Sequence, residues 1–230
     1  MLALVSTAAA CGGGDDGGGA TVQVGQNLDF APTNNVVCQD GYPVQINPSF
    51  PQPFTNQGAP SCLLLTFFPG AQPTVPGTAV NANIRVGPVT GPMRFVRMRI
   101  LFQNGFGPAC CSIEQYGTVF TPQANSITTV TLNFPMTEES IPPPPDPTIV
   151  ANDLVALEVL APNVPLPGIW PNNGGGVLSL PDYMWFPALS TQGVSAPSSN
   201  LRSDGSFSGF LPSFNLDFRV ASGNSSITGP

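Results

Sequence analysis

The chain has no histidine and no lysine, and its six arginines stand against 13 acidic residues for a net charge of −7. Without histidine there is no Ser-His-Asp triad, no Cys-His dyad and no His-ligated zinc or copper. Without lysine there is no Ser-Lys dyad, Schiff base or P-loop. No G-x-S-x-G occurs, and no D-x-D-x-D loop points to calcium. The residues therefore call for neither a metal nor an organic cofactor. So few cations argue against nucleic acid, whose binding displaces counterions with a field of Lys and Arg. They also leave no basic face for anionic lipid. Charged residues make up only 8% of the chain. Its polarity comes from Ser, Thr, Asn and Gln instead, a balance suited to an extracytoplasmic protein.

Helical periodicity is also missing, since no window of ten or more residues shows a convincing 3.6 period. What is present is alternation. Val80, Ala82, Ile84 and Val86 alternate with Asn81, Asn83 and Arg85; after the turn GPVTGP, Val96, Met98, Ile100 and Phe102 alternate with Arg97 and Arg99. This pattern predicts two strands with one face buried and one wet, the arginines on the wet face. Val22 and Val24 mark a first strand, and LLLTFF after Cys62 reads as a strand buried on both faces. ITTVTLNF (127–134) turns Val130, Leu132 and Phe134 inward; DLVALEVL (153–160) does so with Val155, Leu157 and Val159, leaving Glu158 outward; FNLDFRV (214–220) does so with Leu216, Phe218 and Val220. GFGPACC (105–111), EESIPPPPDP (138–147) and the stretch from Trp170 to Ser190 read as loops. With Gly 25 and Pro 28 spread as turns between short apolar runs, the expected fold is all-β. It is a single antiparallel β-sandwich, jelly-roll-like, of nine or ten strands with long Pro/Gly-rich loops.

Four segments are expected. Residues 1–11 form an apolar signal segment, 12–20 a flexible Gly/Asp tether, 21–220 the β-sandwich, and 221–230 a disordered tail. MLALVSTAAA is too short to span a bilayer. Ending on Ala8–Ala10 before Cys11, it resembles the lipobox of bacterial lipoproteins, where the signal peptidase cuts and the Cys thiol carries diacylglycerol. Ala8 stands where that family prefers Leu. No basic residue precedes the apolar run, as expected if translation starts upstream of Met1. The resemblance implies lipidation at Cys11 and membrane attachment at the cell envelope; an ordinary signal peptide, and secretion, is the plainer alternative.

The order of elements from about residue 21 to 160 is similar to an uncharacterised family of secreted actinobacterial β-sandwich proteins. The shared parts are Cys38 and Cys62 before an apolar strand, the Phe68–Gly70 turn, V-R-M-R, T-L-N-F and a strand opened by Asn152–Asp153. That family has no established activity, so the resemblance implies a fold and a compartment. Once Cys11 is set aside, four cysteines allow three pairings. The resemblance implies Cys38–Cys62, leaving Cys110 and Cys111 as a vicinal bridge or as thiols.

Three constellations carry chemistry. Trp170, Tyr183 and Trp185, with Asn172, Asn173 and Asp182, match the aromatic faces, amides and carboxylate of a sugar-stacking platform; the competing reading is core packing at a sandwich end. Arg85, Arg94, Arg97 and Arg99 suggest an anion site, against a sheet face that pairs with Glu158 or Asp217. Glu114, Glu138, Glu139, Asp153, Glu158 and Asp182 are the carboxylates from which a glycosidase pair would be drawn. The expectation is a non-catalytic binding or structural module at the cell envelope, with cell-wall or extracellular glycan as its partner. The alternative is a carboxylate-dependent glycoside hydrolase.

Overall fold

The computed structural model describes residues 19–25, 27–29, 32, 36–39, 42–45, 62–66, 73, 75–103, 106–140, 150–161, 164–169, 183–186, 198–201, 205–207 and 211–222. Residues 1–18, expected to hold the signal segment with Cys11 and most of the tether, lie outside them, as do Trp170, Asn172, Asn173, Asp182 and residues 223–230. No helix forms among the described residues. In chain order the strands are β1 (Thr21–Gly25), β2 (Val36–Gln39), β3 (Tyr42–Gln45), β4 (Cys62–Thr66), β5 (Gly77–Arg85), β6 (Met93–Gln103), β7 (Phe106–Tyr116), β8 (Ile127–Met136), β9 (Glu138–Ser140), β10 (Val150–Val159), β11 (Gly168–Ile169), β12 (Tyr183–Phe186), β13 (Ser198–Leu201), β14 (Gly205–Phe207), β15 (Leu211–Pro212) and β16 (Phe214–Val220). This exceeds the expected number because several strands are only two to four residues long.

Two antiparallel sheets carry the architecture. One has four strands in the order β1-β16-β5-β8; the other is centred on β7-β6-β10 and continues through β4 to β12 and β14, with β13 on its far edge and β9 paired to β10. β2–β3 and β11–β15 form separate small pairs. Side chains from both sheets meet in one core: Ala82 and Ile84, Leu132 and Phe134, Leu216 and Phe218 from the first, and Met93, Phe95, Val155, Leu157 and Val159 from the second. Phe95 is its hub. It is fully buried, stacked on Phe120 at 5.6 Å, and edge-on to Phe214 across the sheets at 5.4 Å. Burying such a ring stabilises by about 1.5–3 kcal/mol.

Alternation holds in β8 and β16 as expected, but β5 departs from it. Its inward residues are Ala79, Ala82 and Ile84, because Val80 is an extra residue between Ala79, opposite Phe218, and Asn81, opposite Asp217. β8 answers with its own irregularity beside Ala79 and Asn81, where Asn133 adopts φ 54°. Such bulges re-aim a strand's faces, and Asn tolerates this conformation better than most residues.

In β6 the expected apolar face is buried, but the face turned to the other sheet is the arginine-bearing one. Val96 and Met98 are buried, yet the residues that join the inter-sheet core are Met93 and Phe95, which share parity with Arg97 and Arg99. The arginines therefore border the core, and the opposite face is closed to solvent as well. β10 shows why: every residue from Asp153 to Val159 is buried. A strand hydrogen-bonded on both sides by β6 and β4 and closed over both faces has no wet side.

Three expected loops contain strands. FGPACC (106–111) falls in β7, Glu138–Ser140 pairs with β10 as β9, and Tyr183–Phe186 lies between β4 and β14 as β12. In each case, pairing with a neighbouring strand overrides local Gly, Pro or charge content, as tertiary context does for β-propensity generally. The two chain ends of the domain meet at one end of the first sheet, where Val220 N–H donates to Ala20 O at 3.1 Å and Ala221 N–H to Pro76 O at 3.1 Å.

Candidate functional site

The densest polar cluster is built where β8 hands the chain to β9. Asp153 stands opposite Arg99 in the β10–β6 register. Its carboxylate accepts from Arg99 Nε at 2.9 Å, Thr137 N–H at 2.9 Å and Thr137 Oγ1 at 2.8 Å, with Arg99 Nη2 at 3.4 Å. Thr137 Oγ1 in turn accepts from Arg99 Nη2 at 2.9 Å. Arg97 Nη1 donates to Pro135 O and lies 3.8 Å from Asp153, while its Nη2 lies 4.0 Å from Glu114. Its Nε is buried without a hydrogen-bond partner. Glu114 accepts from Ser112 Oγ at 2.5 Å. The Asp153 side chain has no solvent exposure. A glycosidase carboxylate must reach a glycosidic oxygen or a water; Asp153 is enclosed by donors that hold it in place. It is an interior residue of β10, not the opening residue expected.

A second ion pair sits on the other face of the same sheet. Arg94 Nε donates to Glu158 at 2.5 Å, and the Glu158 side chain is fully buried. Glu158 is thus not on a wet face, although its pairing with an arginine is as expected. The Arg94 guanidinium also lies over the Tyr116 ring, 3.9 Å from the centroid. Burial pushes the Tyr116 phenol above its ordinary value; Arg94 draws it down and Glu158 pushes it up. In the unfolded chain this phenol ionises first, so the stability it contributes is present below about pH 10 and is lost as pH rises through its higher folded-state value. In an alkaline titration followed by phenolate absorbance, Tyr116→Phe should remove a late-titrating component. Loss of an early component instead would contradict the assignment.

The remaining arginines and acids are placed as follows. Arg85 donates to Leu28 O at 2.6 Å. Among the described residues Asp217 takes no arginine; it accepts from Asn81 and Asn83, both at 3.1 Å. Arg219 is exposed, and among the described residues it has no ion pair. It borders a groove of about 450 Å3 with Thr78, Pro135 and Thr137 that contains no carboxylate. The arginine cluster of the sequence therefore splits into separate structural contacts. No group of three Cys, Asp or Glu suited to a metal occurs among the described residues.

Of the aromatic platform, only the backbone of Tyr183 and Trp185 is described. Tyr183 is opposite Thr66 and Trp185 opposite Leu64, inside the second sheet. Cys38 lies in β2, Cys62 in β4, and Cys110 and Cys111 in β7, with their side chains outside the described residues. Thr137 was not singled out in the sequence, where nothing marks one Thr as the second partner of a buried Asp. No family model, characterised protein or solved structure matches the chain.

Proposed function

We propose that this chain is a non-catalytic binding or structural module: a β-sandwich of jelly-roll type, held outside the cytoplasm at the cell envelope through a lipid on Cys11, with a cell-wall or extracellular glycan as its ligand. The observation that supports a module over an enzyme is the fate of its acids. Asp153 and Glu158 are fully buried in arginine pairs, Asp217 is tied to two asparagines, and Glu114 faces Arg97 and Ser112. These carboxylates hold the sheets and, among the described side chains, leave little with which to cut a glycosidic bond; those of Glu138, Glu139 and Asp182 lie outside the described residues. Anchoring is supported by Ala8–Cys11 and the Gly/Asp tether, which leads into Gly19 at the end of the first sheet. A lipidated N-terminal Cys carries enough acyl chain for stable attachment.

With a complete signal sequence and labelled palmitate, the full chain should take up label in the membrane fraction, and Cys11→Ala should lose both label and attachment. Identical labelling and fractionation of the two would refute anchoring.

A further inference from the structure

We infer that the outer face of the four-stranded sheet is the glycan-binding surface, reading sugar hydroxyls through a fixed grid of amides, hydroxyls and one carboxylate. This rests on the binding-module reading and names its site. The strand registers set side chains abreast in rows. Gln23, Asp217, Asn81 and Thr131 form one row; Asn83 and Thr129 form the next, beside Asn215, which is buried and serves as a bonded support rather than a contact. Arg219 and Thr78 stand abreast at the end, where the groove opens. Asn81 and Asn83 face out together by simple alternation, and the extra residue at Val80 is what turns Ala79 inward and Thr78 onto this face.

The rows are bonded to one another. Asp217 accepts from the amides of Asn81 and Asn83, one on each oxygen. The Asn83 amide also donates to Asn215 Oδ1 at 3.0 Å, which receives Gln23 Nε2 at 3.3 Å. Asn83 Oδ1 accepts from the Thr129 hydroxyl at 2.7 Å. Asn and Asp are depleted in strands, where Thr, Val or a long charged chain is the usual wet-face choice. Four of them at the centre of one sheet break that local rule together, and such breaks concentrate at functional sites.

The chemistry of the face selects its ligand. With no aliphatic or aromatic side chain in the two amide rows, it lacks the apolar centre of a protein interface. With two cations, Arg219 and an Arg85 already committed to Leu28 O, and one carboxylate, it offers little to a phosphate backbone. A ligand must instead be matched by hydrogen bonds, and a polysaccharide presents donors and acceptors at every ring. Asp217 retains lone pairs, Asn81 its carbonyl oxygen, Thr129 and Thr131 their exposed hydroxyls, and Arg219 its guanidinium. Strands about 4.8 Å apart repeat these groups at close to the span of one sugar ring. Because the side chains are short and already bonded, little rotamer freedom is lost on binding.

Affinity electrophoresis of the full chain through gels containing soluble β-glucan, galactan or a uronic-acid polymer, with insoluble peptidoglycan as a pull-down probe, tests this. At least one polymer should retard the chain. Asn81→Thr and Arg219→Gln should each weaken retention by up to about tenfold, the usual worth of one hydrogen bond, with the melting temperature held. Asn81→Thr places a better strand former, and Arg219 is exposed, so neither should unfold the domain. Unchanged retention in both variants overturns the sheet-face site. If retention is unchanged in both but lost in Trp185→Ala, the glycan reading stands and this face is the wrong one. If no polymer retards the wild-type chain, both fall.

Discussion

Arg94→Ala should destabilise the fold by about 3–5 kcal/mol, because it removes the Arg94 charge that pairs with the fully buried Glu158 carboxylate. Glu158→Ala should cost less: Arg94 is 18% exposed at its side chain and retains the Tyr116 ring beneath it. The pair itself is a different matter. Desolvating two charges offsets most of their attraction, so Arg94→Met combined with Glu158→Leu should lie near wild type or above it. Denaturant unfolding of the two alanine variants and the apolar pair separates these effects. A small loss for Arg94→Ala would mean that Glu158 reaches solvent.

Asp153→Ala should cost a similar amount, about 3–5 kcal/mol, by a different route. One carboxylate neutralises Arg99, lies 3.8 Å from Arg97 and accepts from both the backbone and the hydroxyl of Thr137. Thr137 links β8 of one sheet to β9 of the other, and Asp153 N–H donates back to Thr137 O at 3.2 Å. The side chain therefore fastens the crossing between sheets as well as an ion pair. Asp153→Asn keeps an oxygen for Thr137 but removes the charge, and should fall between alanine and wild type. Equal losses for Ala and Asn would assign the whole effect to charge and none to the crossing.

Much of the sheet framework can be read from the residues. β8 alternates cleanly because it has one face on the core and one in water, so a period of two carries the information. β16 follows it from Leu216 to Val220, although Asn215 on its outer face is buried. The faces of β5 cannot be read this way, since Val80 looks like a continuation of the Val-Ala-Ile-Val series. Only its neighbours reveal it as a bulge. Arg97 and Arg99 mislead for a related reason: a charge beside an apolar residue signals a wet face only when no buried acid waits opposite, and Asp153 does. β10 hides both of its burials, because Glu158 sits where a solvent-facing residue would. The amide rows were visible as residue types but not as a surface. Asn81 and Asn83 are more than 130 residues from Asn215 and Asp217 in the chain, and only strand pairing brings them abreast. The aromatics near Trp185 stood out by composition alone, while the pairing of that segment with β4 leaves no mark in its own sequence.

A module that binds without cutting should keep its polymer intact. The most direct measurement is to incubate the full chain with the polysaccharide that retains it and to assay bound protein and new reducing ends in the same tube. Retention with no rise in reducing ends above the protein-free control is the predicted result. Reducing ends that grow in proportion to protein and vanish in Glu114→Gln, whose side chain is 18% exposed beside Arg97, would contradict it and make the chain a hydrolase.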